Sequence, residues 1–339
     1  MTDGRFKEVV LRGSPEDIGF QHGYQLKDRI EKTLEYYLSL FNLPESKLFK
    51  QAETFKQIIA DFNPRYSQEI EAVAEGAGLD NRYIYALNSR SEILNNLSIP
   101  ECTTVFNQSS SLLAQNWDWS ETLEPLVTLL NIEYDDGHRI SMLTEPGIIG
   151  KIGMNSAGLG VCLNILKINK KINGLPVHIL LRAILDCKSM VEVKALISRV
   201  SVGKASHVLV ANSEGDYLSV EFAGDRHFEL PLQKGLLVHT NHYLADTALN
   251  TVEAFPSTHD RYRCANRLLD DAADMQGFTT LMLDQSEGLN SICRPYSAST
   301  TPNFGNVGTV FSVLMDLSQR ALFIRPGSSQ SKAFYRIVC

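Results

Sequence analysis

The pattern of hydrophobic and polar positions divides the chain near residue 102. Ahead of that point, long mixed stretches are bounded by helix signals, after a short candidate strand at residues 5–11. Ser14-Pro15-Glu16-Asp17 offers an N-cap serine, proline at the first helical position and acids in the first turn, and predicts a helix to about Phe41. Gly19 and Gly23 fall four apart on one face of it and permit close packing. Further helices are expected over 45–61, 65–76 and 81–94, broken at Asn63-Pro64 and at Gly76 or Gly78. From Cys102 onward the pattern changes to short apolar runs punctuated by Gly, Asn and Asp. Strands are expected at 103–107, 111–116, 126–134, 139–144, 149–154 and 159–164, then at 206–212, 216–222, 226–230 and 235–239, and at 308–316, 320–325 and 333–338. Helices are expected between these blocks, near 176–187 and 189–200 and near 258–272 and 278–284.

Strands in blocks separated by helix pairs predict an α+β fold of two packed sheets with helices outside. The chain has no internal repeat and no clear linker, so its 339 residues are read as a single domain. Residues 286–306 are the longest stretch rich in Gly, Ser, Asn and Pro, and a loop of that length in a compact domain is often functional. Pro100-Glu101 reads as the loop before a hairpin. That hairpin would start at Cys102 and bring Asp118 back close to it.

Composition removes some classes of function. A net charge of −7 leaves no basic footprint for nucleic acid. No stretch approaches 18 apolar residues, and MTDGRFKEVV lacks the apolar core of a secretory signal, so a cytoplasmic protein without a membrane span is expected. The six cysteines form no CxxC pair and are expected to be free thiols.

Several motifs carry a resemblance to a known family, in register along most of the chain. They are Gly13-Ser-Pro-Glu-Asp-Ile-Gly-Phe-Gln-His-Gly23, Cys102-Thr-Thr, Gln115-Asn-Trp-Asp118, Glu145-Pro-Gly-Ile-Ile-Gly-Lys-Ile-Gly-Met-Asn-Ser-Ala-Gly-Leu159, His239-Thr-Asn-His242 and Ser291-Ile-Cys-Arg-Pro-Tyr296. Together they resemble the acyl-coenzyme A:6-aminopenicillanate acyltransferase family of N-terminal-nucleophile (Ntn) hydrolases, which cut themselves just before a cysteine. The resemblance implies a four-layer αββα sandwich with a mainly helical N-terminal segment. It also implies cleavage between Glu101 and Cys102 into an α chain of 1–101 and a β chain of 102–339 that stay associated. The family's usual residue before the cysteine is glycine, so Glu101 is a departure that would slow processing.

The chemistry follows from what cleavage leaves behind. A cysteine is nucleophilic as its thiolate, with an ordinary pKa of about 8.5, and needs a base. A new α-amine at Cys102, ordinarily titrating near 7.7–8.0, could accept the thiol proton, so one residue supplies nucleophile and base. By the resemblance, Asn241 is the expected oxyanion donor and Asn164 a second candidate. Asp118 would receive the α-ammonium or orient the thiol, Arg294 would hold Asp118, and Thr104 would lend a hydroxyl. Arg90 and Glu92 match an Asn-x-Arg-x-Glu segment and are expected as a buried pair near the nucleophile. Trp117 and Trp119 are placed on opposite faces of a strand, with Trp117 lining a substrate pocket, and His242 is placed in the pocket as well. His239 and His242 alone, without a third ligand motif, do not make a zinc site.

The expected activity is hydrolysis or transfer of the acyl group of a small amide or thioester, without a cofactor. Acyl-coenzyme A is one acyl donor, N-acyl amines and N-acyl amino acids are others, and a homo-oligomer is compatible with the sequence. An uncleaved Ntn-fold binding protein without turnover is the alternative, with Glu101 in its favour. A papain-like peptidase would need a helix start after the cysteine, and the strand-like run after Cys102 argues against it.

Overall fold

The computed structural model describes residues 5–94, 101–170, 172–250 and 257–339, with Glu101 through its backbone alone. The chain runs β1 (Lys7–Arg12), α1 (Pro15–Phe41), α2 (Glu45–Phe62), α3 (Pro64–Ala77), α4 (Asn81–Asn88) and α5 (Arg90–Ile93). The hairpin of β2 (Glu101–Asn107) and β3 (Leu112–Ser120) follows, then β4 (Thr128–Glu133), β5 (Arg139–Thr144), β6 (Ile152–Asn155) and β7 (Gly160–Ile165). Next come α6 (Val177–Asp186), α7 (Met190–Ile197), β8 (Ser206–Ala211), β9 (Tyr217–Ala223), β10 (Arg226–Glu229) and β11 (Leu236–His239). The chain closes with α8 (Thr258–Leu269), α9 (Met275–Met282), β12 (Ser297–Ala298), β13 (Asn306–Asp316), β14 (Ala321–Pro326) and β15 (Tyr335–Val338).

Two sheets result. One is ordered β1-β4-β5-β6-β7-β8-β9-β10, and the other β11-β2-β3-β13-β14-β15 with β12 on β13. All pairings between these strands are antiparallel except β1 with β4. The sheets meet where β7 packs on β2 and β3; α6 and α7 cover the first sheet and α8 and α9 the second. This is the expected αββα order. Most of the apolar core lies between the sheets and under the N-terminal helices, while a second cluster, including Val105, Ala114 and Phe278, lies beneath α8 and α9. Among the described residues no helix is long and apolar enough to cross a membrane.

Local sequence explains the helical half. Ser14 accepts from the Asp17 N–H and Asp17 from the Ser14 N–H, a complete capping box with Pro15 at the first helical position. A Cβ at Gly19 or Gly23 would collide with the carbonyls of Glu69 or Val73 on α3, so the two glycines set how closely α1 and α3 approach.

The structure moves several expected boundaries. Glu101 opens β2 rather than ending a loop, because its backbone already pairs opposite Asp118; Pro100 lies outside the described residues. β3 does not stop at 116 but runs to Ser120, since β13 pairs along its whole length. The helix expected over 81–94 breaks at Ser89, where φ and ψ leave the helical region (−114° and 18°). The strand expected from 149 begins at Ile152, after residues 145–151 form a buried turn. The stretch 286–306 contains the short β12.

Candidate functional site

Alternation along β2 and β3 decides which side chains meet. Cys102 pairs opposite Trp117, so both face the first sheet along with Thr104 and Trp119. Trp117 and Trp119 are two apart and therefore share a face, not opposite faces as the sequence suggested. Their rings stack at 6.1 Å and 13°, and both line the cavity next to Cys102. Asn116 and Asp118 face the other way, toward α9 and β13. A bulge in β13 falls between Thr309 and Phe311, opposite Asp118 and Trp117, and re-aims the backbone at this point.

The peptide nitrogen of Cys102 is held directly. Its N–H donates to Asn241 Oδ1 at 2.9 Å. Asn241 is fixed in turn by its Nδ2, which donates to the Ile165 carbonyl at 2.9 Å, and by its own N–H, which donates to Thr258 Oγ1 at 2.8 Å. Arg261 on α8 completes the cradle. Its Nη1 donates to the Cys102 carbonyl at 2.6 Å and to Thr103 Oγ1 at 3.1 Å, its Nη2 to Asn241 Oδ1 at 2.8 Å, and its Nε to Ser257 Oγ at 3.0 Å. Arg261 is fully buried, and no carboxylate is among these partners.

Asp118 and Arg294 meet through an intermediary. The Arg294 backbone N–H donates to Thr309 Oγ1 at 2.8 Å, and that hydroxyl donates to Asp118 Oδ1 at 2.6 Å. Burial pushes the Cys102 thiol up to about 12; Asp118 adds to the rise, and Arg261, Lys151 and Gln115 oppose it. The resting thiol is therefore protonated. The Thr104 hydroxyl is buried with no hydrogen-bond partner among the described residues.

Two expected residues sit elsewhere. Asn164 accepts from His207 Nδ1 at 2.9 Å and donates to the His239 carbonyl at 3.3 Å, so it braces the segment that carries Asn241 instead of reaching Cys102. The His242 ring meets Thr258 Oγ1 at 2.9 Å and packs on His259 and Tyr262, away from the cavity wall; burial lowers it to about 3. All six cysteines are unpaired.

The cavity beside Cys102 is lined by Trp117, Trp119, Leu163, Arg90, Lys151 and Lys204, among others, and has room for about 30 Å³. Behind it lies a buried charge cluster. Glu145 accepts from Arg90 Nη2 at 2.8 Å, from Lys151 and from the Tyr37 hydroxyl. Arg90 therefore pairs with Glu145 and not with the expected Glu92, which accepts from the Val177 N–H on α6. Burial opposes ionisation of Glu145, but Arg90 and Lys151 outweigh it and hold that carboxyl well below its usual range. Burial lowers Lys151 to about 7 against the pull of Glu145, and lowers Lys204 to about 8. Arg90 Nη1 donates to Ser91 Oγ, which contacts His178 Nε2, while His178 Nδ1 lies 3.0 Å from the Gly150 carbonyl.

Sequence reasoning passed over Arg261 and Lys204 and gave Gln115 no role of its own. The first two lie in ordinary-looking helix and loop segments with no motif around them; the long-range approach of α8 to β2 reveals Arg261, and the cavity wall reveals Lys204.

Residues 105–330 match the family described as acyl-coenzyme A:6-aminopenicillanic acid acyl-transferase. The chain is 29% identical over 333 residues to the 40 kDa form of acyl-coenzyme A:6-aminopenicillanic-acid-acyltransferase of Emericella nidulans, covering 94% of this chain and 92% of that one. In fold it is similar to a mutant of conjugated bile acid hydrolase from Clostridium perfringens, with a TM-score of 0.50 and 14% identity over 71% of this chain and 92% of that one.

Proposed function

The chain belongs to the acyl-coenzyme A:6-aminopenicillanic acid acyl-transferase family and is an Ntn-type acyltransferase or amidohydrolase; on that premise we propose that it is made as a precursor, cuts itself before Cys102, and then carries acyl groups on the Cys102 sulfur. One observation carries this reading: the peptide at Cys102 is gripped on both sides, its nitrogen by Asn241 and its carbonyl by Arg261, where the thiol borders a cavity.

In the precursor the Cys102 sulfur attacks the Glu101 carbonyl carbon. The bond to the Cys102 nitrogen breaks as that nitrogen takes up the thiol's proton, and water hydrolyses the thioester. Residues 1–101 then end in a carboxylate, and Cys102 carries a free α-amine. Donation of one amine N–H to Asn241 leaves the lone pair available to the thiol, so the amine becomes the base that Cys102 otherwise lacks. In turnover the thiolate attacks the carbonyl of an N-acyl amine, an N-acyl amino acid or an acyl thioester such as acyl-coenzyme A. The α-ammonium protonates the leaving group, and water or a second amine removes the acyl group. Asn241 Nδ2 serves the tetrahedral oxyanion by exchanging its bond to the Ile165 carbonyl for one to the negative oxygen. Asp118, steadied by Thr309 and Arg294, faces the charge of the ammonium form. No cofactor enters the sequence of steps.

Intact-mass analysis with N-terminal sequencing tests the reading. The purified wild type is expected to yield a fragment beginning at Cys102, and Cys102→Ala to remain a full chain of 339 residues with no turnover of a short N-acyl amino acid. Full activity in Cys102→Ala would refute it.

A further inference from the structure

Asn241 stands just past the end of a strand. β11 stops at His239, which pairs with Thr104 of β2, so Thr240 and Asn241 lie beyond that ladder. The opposite sheet takes over. Asn164, His207 and Glu221 form one row across β7, β8 and β9, because Asn164 pairs opposite His207 and His207 opposite Glu221. All three are fully buried, and all three meet the segment that carries Asn241. Polar side chains between two sheets are costly unless each is satisfied, and these are.

Glu221 is engaged through both oxygens. Oε1 meets His239 Nε2 at 2.8 Å and accepts from the Leu244 N–H at 2.7 Å, and Oε2 accepts from the Ala245 N–H at 3.0 Å. His239 Nδ1 lies 2.9 Å from the Thr240 carbonyl. A carbonyl only accepts, so Nδ1 carries a hydrogen, and a second proton lies between Nε2 and Glu221. The His207 ring lies flat on His239, with centres 3.7 Å apart and planes at 8°. Burial holds His207 well below its ordinary range, so it is neutral. Its Nδ1 donates to Asn164 Oδ1 at 2.9 Å and its Nε2 accepts from the Ser219 hydroxyl at 2.8 Å. Asn164 Nδ2 in turn donates to the His239 carbonyl at 3.3 Å. The Thr240–Asn241 peptide is thus tied at both ends, its carbonyl to His239 Nδ1 and its N–H to Thr258 Oγ1 at 2.8 Å. A peptide plane held at both ends cannot rotate.

We propose that Glu221 and His239 are positioning residues for acyl transfer: Glu221 sets the tautomer and orientation of the His239 ring, and that ring fixes the peptide from which Asn241 reaches the oxyanion. The inference rests on the oxyanion role proposed for Asn241. With its backbone fixed, Asn241 has only its own side-chain torsions to adjust when Nδ2 leaves the Ile165 carbonyl. A donor held in place before the negative charge develops is the condition for stabilising it well.

A double-mutant cycle on the rate with a short N-acyl amino acid tests this, with rates referred to the cleaved fraction and unfolding midpoints measured alongside. Glu221→Gln puts an amide N–H against one of the backbone N–H groups that Glu221 now accepts. It should lower kcat about tenfold to a hundredfold and leave KM unchanged. In an Asn241→Ala background the same change should cost nothing further, because the residue it positions is gone. Equal losses of kcat in the two backgrounds overturn the proposal, since a structural defect acts in both. A pair of substitutions at His239 decides the matter independently, including where Glu221→Gln does not fold. His239→Asn keeps a donor at the place of Nδ1, and His239→Gln keeps one at the place of Nε2. The Asn variant should retain the higher kcat at least tenfold; an equal or reversed order overturns the assignment. Asn241→Ala with full turnover refutes the oxyanion reading itself, whereas a slow Asn241→Ala with additive losses refutes only the positioning.

Discussion

Two buried arginines, Arg90 on the cavity wall beside Cys102 and Arg182 on α6, are built to different ends. Arg182 uses every nitrogen. Nη1 and Nη2 grip Glu69 at 2.8 and 2.7 Å while also reaching the Ile149 carbonyl and the Tyr134 hydroxyl, and Nε turns to Asp186 at 3.4 Å. It ties α3, α6 and the turn before β6 into one body. Arg90 is as deeply buried, yet it makes a single contact with Glu145, leans on Ser91, lies 5.2 Å from the ring centres of Tyr37 and Trp119, and leaves Nε unused. A cluster whose donors are all spent holds elements together. The Arg90 cluster stops short at a cavity wall, with one donor unspent.

The difference can be broken by exchanging one residue in each cluster. Arg182→Met strands the Glu69 carboxylate without its partner and should cost about 3–5 kcal/mol of stability. Arg90→Met leaves Glu145 with Lys151 and Tyr37, so it should cost less than half of that while acyl turnover falls sharply. Urea unfolding and a turnover assay on the same preparations check the pair; equal losses of stability would dissolve the contrast. Asn241→Ala probes the nucleophile's side, where it should slow turnover by about 10²–10³. A loss under tenfold with stability retained would pass the oxyanion role to another donor.

Arg261 sharpens the comparison, as a third buried arginine with no carboxylate among its partners in the described residues. It is one shared oxygen away from the Cys102 nitrogen. A cation there disfavours the α-ammonium and lowers its pKa, with Lys151 acting in the same direction and Asp118 against them. The amine works as the neutral base, so kcat/KM rises with pH through that pKa. Arg261→Met should move the acid limb up by about one pH unit, and Arg261→Lys should restore it. The pH–rate profile decides, because a purely structural loss would lower the curve without shifting it. The smallest effect is expected from Glu101→Gly, a severalfold faster cleavage followed as the cut fraction over time. An unchanged rate would free Glu101 of responsibility.

How much of this was legible in the sequence depends on the range of the interaction. Ser14, Asp17, Gly19 and Gly23 act within a helix or on its nearest neighbour, and their residue types announce it. The β2–β3 hairpin was legible for the same reason, since a polar turn joins two apolar runs; the role expected of Cys102 came from the family resemblance alone. The partner of Arg90 was misread because Glu92 is close in sequence, whereas Glu145 arrives from the far side of a sheet. The two tryptophans were assigned to opposite faces although a spacing of two in a strand puts them on one. Arg261 gave no signal at all, because its meaning comes only from α8 lying across β2.

The N-terminal segment does more than precede Cys102. β1 adds a parallel edge strand to β4 over six positions, and α5 brings Arg90 and Ser91 to the cavity wall. A chain severed before Cys102 thus folds as one body but unfolds into two molecules. Its unfolding midpoint must then rise with protein concentration, as mass action requires of any dissociating pair, whereas the uncut precursor's midpoint stays fixed. Molecularity, read from a dilution series, distinguishes the two forms without any substrate.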